Sequence, residues 1–208
     1  MLSVKGLSYH PPATLQPVLN NISLDLSHQE MGLVIGASGS GKSTLLEVLA
    51  GFVEWHSGSV QWRNQQLGAE ELEQLSGLVF QFPERHFCGA TILEELRLGH
   101  LNLESDRIDN ALESVGLNAM SLSASPQSLS GGQQRRLALA VQLIRQPYIL
   151  LLDEPTAGLD WSMRKQLISL LAKLKENWTV LVVTHEPDEL KHICDRAWQM
   201  SAGVLTPL

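Results

Sequence analysis

One short stretch constrains this chain more than any other. Gly36-Ala37-Ser38-Gly39-Ser40-Gly41-Lys42-Ser43-Thr44 fits the pattern G-x-x-x-x-G-K-[ST]. It follows Met31-Gly32-Leu33-Val34-Ile35, which reads as a buried strand. It precedes a helix predicted from Lys42 to Ala50 and closed by Gly51. Between a strand and a helix, glycines let the backbone curl until its N–H groups face a phosphate chain. The helix aims its positive dipole end at the same point. Lys42 then neutralises the β and γ phosphates, and the Ser43 hydroxyl is placed for Mg²⁺. A chance glycine-rich turn would need neither flanking element. The motif implies a nucleoside triphosphate and leaves open what its energy does.

The remaining pattern supplies a fold around this loop. Residues 2–9 and 18–27 alternate apolar and polar, as half-buried strands do. The proline-punctuated stretch from His10 to Pro17 reads as a loop. Ser59 to Arg63 reads as an antiparallel strand and Leu78 to Phe80 as a buried one. From Thr91 to about Arg145 the apolar spacing is helical, around Glu94-Glu95-Leu96, Ile108 to Val115 and Gln133 to Ile144. Then come a strand (Tyr148 to Leu152), a helix (Trp161 to Lys175), a strand (Val180 to Val183) and a helix (Pro187 to Ile193). Such alternation predicts an α/β fold with a parallel sheet covered on both faces, interrupted by a helical insert. At 208 residues and 22.9 kDa the chain suits one large domain, needing no disulfide or structural metal.

Two further features bear on chemistry. Ile149-Leu150-Leu151-Leu152 is an apolar run ending in Asp153-Glu154. Asp153 at the strand tip can reach the metal shell, and Glu154 points elsewhere and can polarise an attacking water. A positioned general base is worth roughly 10² to 10⁴ in rate. Acids after a strand can also merely cap a turn, which suits either one alone better than the pair. His185 ends the run Val180-Leu181-Val182-Val183-Thr184, at the carboxyl edge where α/β sites lie.

Composition removes other classes. Lys and Arg number 15 against 22 Asp and Glu, a net charge of −7. That argues against nucleic-acid binding and against docking on anionic lipid. Cys88 and Cys194 are too few for a disulfide scaffold and suit a reducing compartment. The start, Met1-Leu2-Ser3-Val4-Lys5-Gly6, lacks the apolar core of a secretory signal, and no apolar run approaches a membrane span. Direct membrane insertion is therefore not expected. His86/Cys88 and His192/Cys194 lack further ligands at a metal spacing. Glu70-Glu71-Leu72-Glu73 reads as the solvated face of a short helix.

Leu129-Ser130-Gly131-Gly132-Gln133 completes the picture. With the phosphate loop and Asp153-Glu154, in this order and at these separations, the chain resembles the nucleotide-binding subunit of an ATP-binding cassette (ABC) transporter over essentially its whole length. The resemblance implies a P-loop NTPase, RecA-like core with an antiparallel β subdomain (about 1–82 and 147–208) and an inserted helical subdomain (about 83–146). It implies ATP and Mg²⁺. Tyr9 resembles the aromatic residue that stacks on adenine. Gln81 resembles the glutamine that touches Mg²⁺ and couples to the membrane partner. Ser130, Gly131, Gly132 and Gln133 resemble the signature that grips the γ-phosphate held by a second subunit. Glu154 resembles the catalytic base and His185 the switch histidine. Ala157-Gly158-Leu159-Asp160 resembles the D-loop, with alanine where many relatives have serine. A signature that serves another subunit's ATP implies a homodimer or a heterodimer with a similar ATPase. It also implies a separate integral membrane subunit, and a place on the inner face of a membrane, in a cytoplasm or an organelle stroma.

Gln81-Phe82-Pro83-Glu84-Arg85-His86-Phe87, followed by Thr91-Ile92-Leu93-Glu94-Glu95-Leu96, looks most like the energy-coupling-factor branch of the family, which drives uptake of vitamins and of cobalt or nickel ions. The usual chain of that branch is longer, so ending at Leu208 implies a minimal subunit. Arg85, His86 and Phe87 are candidates for the groove that receives a partner's coupling helix; a solvated loop is the plainer alternative. A soluble ABC ATPase of DNA repair or translation is the main rival. It usually fuses two cassettes or inserts a long coiled coil, which this sequence lacks. A module that has lost hydrolysis is disfavoured because Lys42, Gln81, Asp153, Glu154 and His185 are all present. A plain kinase would leave the LSGGQ run unexplained.

Overall fold

The structure is a computed structural model that describes residues 1–12, 16–100 and 102–208. The loop predicted from His10 to Pro17 lies partly outside them. The chain opens with β1 (Leu2–Tyr9), β2 (Leu19–Leu26), β3 (Met31–Ile35) and α1 (Lys42–Leu49). Next are β4 (Ser57–Trp62), β5 (Gln65–Leu67), α2 (Ala69–Leu75) and β6 (Ser76–Val79). Three helices follow, α3 (Ile92–Arg97), α4 (Ser105–Ser114) and α5 (Gly131–Ile144). The chain closes with β7 (Ile149–Asp153), α6 (Trp161–Leu174), β8 (Thr179–Thr184), β9 (Arg196–Ser201) and β10 (Val204–Pro207).

The strands form two sheets. One is antiparallel, in the order β2-β1-β4-β5. The other runs β10-β9-β3-β8-β7-β6 and is parallel except where β10 returns along β9. Strands β3, β7 and β8 are buried at every residue. Such strands are apolar throughout because both of their faces are covered. Alternate residues of β7 serve opposite cores. Leu150 and Leu152 pack with Leu139 of α5 and Leu171 of α6. Ile149 and Leu151 pack with Leu45 and Leu49 of α1 and with Val4 and Ile22 of the antiparallel sheet.

Register fixes where chemistry can occur. Ile35 of β3 pairs with Thr184 of β8, Asp153 of β7 with Val183, and Val79 of β6 with Leu152. The carboxyl ends of four parallel strands therefore reach one edge. Gly36, Gln81, Glu154 and His185 leave the sheet there, where ligands of open α/β sheets bind.

Several elements depart from the sequence reading. The helix predicted from Pro187 to Ile193 is only a 3₁₀ turn, Leu190–His192. Leu190 is its one buried residue, too little apolar surface to seat a full helix. The apolar run predicts a strand over Leu78 to Phe80, whereas β6 starts earlier, at Ser76, and ends at Val79. Strand β5 escapes notice because only Leu67 of its three residues is buried. Its hairpin turns at Arg63 and Asn64, both at positive φ. Strands β9 and β10 are joined by Ala202 and Gly203, also both at positive φ. Alanine is an uncommon residue for that turn, so the hairpin left little trace in the sequence. Among the described residues no helix is long and apolar enough to cross a membrane.

Candidate nucleotide site

The phosphate loop is built by close backbone approach. Gly36 leaves β3 with its N–H donating to the Thr184 carbonyl at 3.2 Å. A Cβ on Gly36 would lie 2.4 Å from the Met200 carbonyl oxygen, so only glycine fits. Gly41, at the N-cap of α1, has φ 106° and leaves no room against the Val18 carbonyl. Lys42 begins the helix and is buried, 6% exposed. Its Nζ donates to the carbonyls of Gly36 (2.8 Å) and Ala37 (2.9 Å) and stands 3.9 Å from Glu154 Oε1.

The loop walls a cavity of about 390 Å³. Ser38, Gly39, Gly41, Lys42, Ser43 and Thr44 line one side, with Gln81, Asp153, Glu154 and His185 opposite. Gly36, Ala37 and Ser40 are not lining residues; the first two supply the carbonyls that hold Lys42, and Ser40 is buried beneath. Tyr9 does not line the cavity either. Its carbonyl accepts from the N–H of Val18, which does line it, and its ring lies 5.8 Å from that of His56.

Asp153 ends β7 beside Ser43. Burial pushes its carboxyl above the ordinary value; the hydrogen bond from Ser43 opposes this, the Glu154 carboxylate adds to it, and Lys42 opposes it. Hydroxyl, amide and carboxylate oxygens from Ser43, Gln81 and Asp153 make a hard donor set, which fits Mg²⁺.

Glu154 is held from every side. Its backbone sits at φ 45°, left-handed and strained for a residue with a Cβ. Its amide donates to the Val183 carbonyl at 2.9 Å. Oε2 accepts from the Thr184 hydroxyl at 2.8 Å, and Oε1 accepts from the His185 amide at 3.0 Å. Nδ1 of His185 lies 2.7 Å from Oε1. Thr184 was not anticipated from the sequence; a hydroxyl ending an otherwise apolar strand was its one signal.

The LSGGQ segment lies elsewhere. Ser130 caps α5: its hydroxyl accepts from the Gln133 amide at 3.3 Å, and the Gln133 side chain accepts from the Ser130 amide at 2.9 Å. Ser130, Gly132 and Gln133 line a second cavity of about 330 Å³, with Asp160, Ser162 and Met163 from the start of α6. Gly131 opens the same helix turn. The two cavities have no lining residue in common.

With this geometry in hand, residues 19–157 match the family described as ABC transporter. The chain belongs to the ABC transporter family. Proteins of this family bind nucleotide and hydrolyse ATP, and this chain is such an ATPase. It is similar to ABC transporter I family member 11, chloroplastic, of Arabidopsis thaliana, 40% identical over 97% of this chain and 78% of that protein. It is 36% identical to the energy-coupling factor transporter ATP-binding protein EcfA2 of Symbiobacterium thermophilum, over 89% of this chain and 68% of the relative. Among solved structures, cbiO1 of Clostridium perfringens, part of the ABC transporter complex cbiONQ, superposes with TM-score 0.90 at 29% identity, covering 99% of this chain and 86% of that one. The ATP-binding cassette MJ0796, a dimer bound to ADP and phosphate, superposes with TM-score 0.83 at 28% identity, covering 100% and 99%.

Proposed function

We propose that this cassette pairs head to tail with a second copy of itself or with a similar cassette, closes around two ATP molecules, and thereby powers uptake of a small solute or ion through a separate membrane protein. One observation carries the pairing. The signature cavity and the phosphate-loop cavity share no lining residue, which supports a signature that serves a nucleotide held by another subunit. A dimeric cassette among its structural relatives supports pairing as such.

Within each site the roles follow from position. Lys42 leaves its own loop carbonyls to meet the β and γ phosphates. Ser43, Asp153 and Gln81 would hold Mg²⁺, which supplies charge neutralisation at those phosphates. Glu154 orients the attacking water and accepts its proton while water oxygen bonds to the γ phosphorus and the bridging oxygen departs with ADP. His185, half exposed beside it, steadies the γ-phosphate. Tyr9 stacks on adenine, worth about 1–3 kcal/mol. Ser130, Gly131, Gly132 and Gln133 grip the neighbour's γ-phosphate from a helix N-terminus.

Coupling to a membrane subunit runs through the segment after β6. The Phe80 ring stacks on His86 at 4.7 Å, and Pro83, His86 and Phe87 line a shallow cleft. We place the membrane partner's coupling segment there, with residues 83–146 moving as a helical unit when Gln81 engages nucleotide. The EcfA2 and cbiO1 relatives support energy-coupling-factor uptake as the branch, and we place the chain on the inner face of a membrane through its partner. Affinity capture of this chain from gently solubilised native membranes tests the proposal. Recovery of a polytopic membrane protein with a small membrane substrate-binder is the expected result. Recovery of soluble partners alone, with ATPase activity intact, would overturn it.

A further inference from the structure

Arg135 is only 7% exposed and sits in the second turn of α5. A cation on the buried stripe with Ala138 and Leu139 needs a reason, since burying a charge is costly unless it is fully bonded. Its guanidinium donates to three main-chain carbonyls of the segment after β7: Glu154 at 3.2 Å, Pro155 and Ala157. Among the described residues no carboxylate forms an ion pair with it. The fork geometry of arginine suits such a cluster, and lysine could not copy it.

The first of those carbonyls belongs to the residue with the strained backbone. A left-handed non-glycine residue persists only where its surroundings over-determine it. The Val183 carbonyl holds the Glu154 amide. Arg135 and the Ala157 amide hold its carbonyl. Of the two donors to that carbonyl among the described residues, Arg135 alone comes from outside the turn. Moreover, α5 is capped by Ser130, so the helix carrying Arg135 begins at the signature.

We propose that Arg135 is a positioning residue for the catalytic base: it fixes the backbone of Glu154, and so the direction of its carboxylate, from the signature helix. This rests on the assignment of Glu154 as the base made above. Burial lowers the Arg135 pKa and the Glu84 carboxylate opposes this; a guanidinium keeps its charge in proteins.

The test is steady-state ATPase kinetics of the purified full chain carrying Arg135→Gln or Arg135→Lys. Leu139→Ala serves as a control that loosens the same helix without touching the three carbonyls. All variants are assayed below the lowest melting temperature in the set. The expected result is a kcat lowered about tenfold or more in Arg135→Gln, with KM for ATP within about twofold of wild type and partial recovery in Arg135→Lys. Should Arg135→Gln not fold, Arg135→Lys against Leu139→Ala decides. Arg135 variants whose kcat matches wild type, or falls only as far as in Leu139→Ala, would overturn the proposal. A wild-type chain without ATPase activity would instead remove the assignment of the base, and this inference with it.

Discussion

Nδ1 of His185 lies 2.7 Å from Oε1 of Glu154, while the far side of the same imidazole looks toward Glu186, with Nε2 3.7 Å from its Oε1. The histidine thus bridges a buried carboxylate in the phosphate cavity and an exposed one on the loop beyond β8. Arg164 of α6 holds that loop through Glu186 at 3.2 Å and Glu189 at 3.7 Å. The segment carrying the histidine is braced on both sides.

On the proposed assignment of Glu154 as the base, replacing it separates binding from chemistry. Glu154→Gln keeps the shape and removes the proton acceptor. Its ATP turnover is expected to fall about tenfold or more while ATP binding persists. With ATP it should sediment as a pair; a persistent monomer at high concentration, with a similar cassette also supplied, would contradict the paired site.

Thr184 donates to a Glu154 carboxylate whose side chain is 8% exposed. Thr184→Val preserves the volume and leaves that oxygen short of a donor, and Glu186 loses its amide's acceptor as well. The expected loss is about 1–3 kcal/mol of stability, read by chemical denaturation. An unchanged denaturation midpoint would show that the hydroxyl is dispensable.

Asp153 gives a pH signature. Burial, its main perturbation, raises its folded pKa above the unfolded one, so the folded state binds the proton more tightly. The group therefore costs stability once both states are ionised, and the cost disappears as pH falls through the folded and then the unfolded pKa. Without nucleotide or divalent cation, Asp153→Asn is expected to melt higher than wild type at neutral pH. The gap should narrow toward pH 4. A gap that is constant with pH would assign the effect to something other than ionisation.

The two thiols should react very differently. Cys88 is exposed, whereas burial pushes the Cys194 thiol up to about 12. At pH 8, iodoacetamide is expected to label Cys88 and spare Cys194 until the chain is unfolded, as intact-mass spectrometry would show. Equal labelling of both in the native protein would be the contrary result.

The sheet and the phosphate loop were legible because their signals are local. Unbroken apolar strands, a glycine run and a capped helix each lie within a few residues. The edge hairpins were not, since β5 and β10 gain their place by pairing rather than by burying a face. Lys42, Ser43, Gln81, Asp153, Glu154 and His185 do converge on one cavity, as their motifs implied. What the sequence concealed were the supports. Thr184 looks like one more strand residue, and Arg135 like one more surface charge on an amphipathic helix. Their partners are distant in sequence, and two of the three Arg135 partners lie beyond Glu154, on main-chain atoms that no side-chain pattern encodes.

The proposed pairing of two cavities that share no lining residue has a consequence for inheritance. In a paired cassette, a copy damaged at Ser130 keeps a sound phosphate loop but spoils the pocket of the intact molecule it embraces. A copy damaged at Lys42 does the reverse. Two differently crippled chains, mixed together, can therefore assemble one whole pocket between them, while a single faulty chain drags down its healthy neighbour. Complementation between distinct lesions and dominance of each one alone both follow from that proposed pairing.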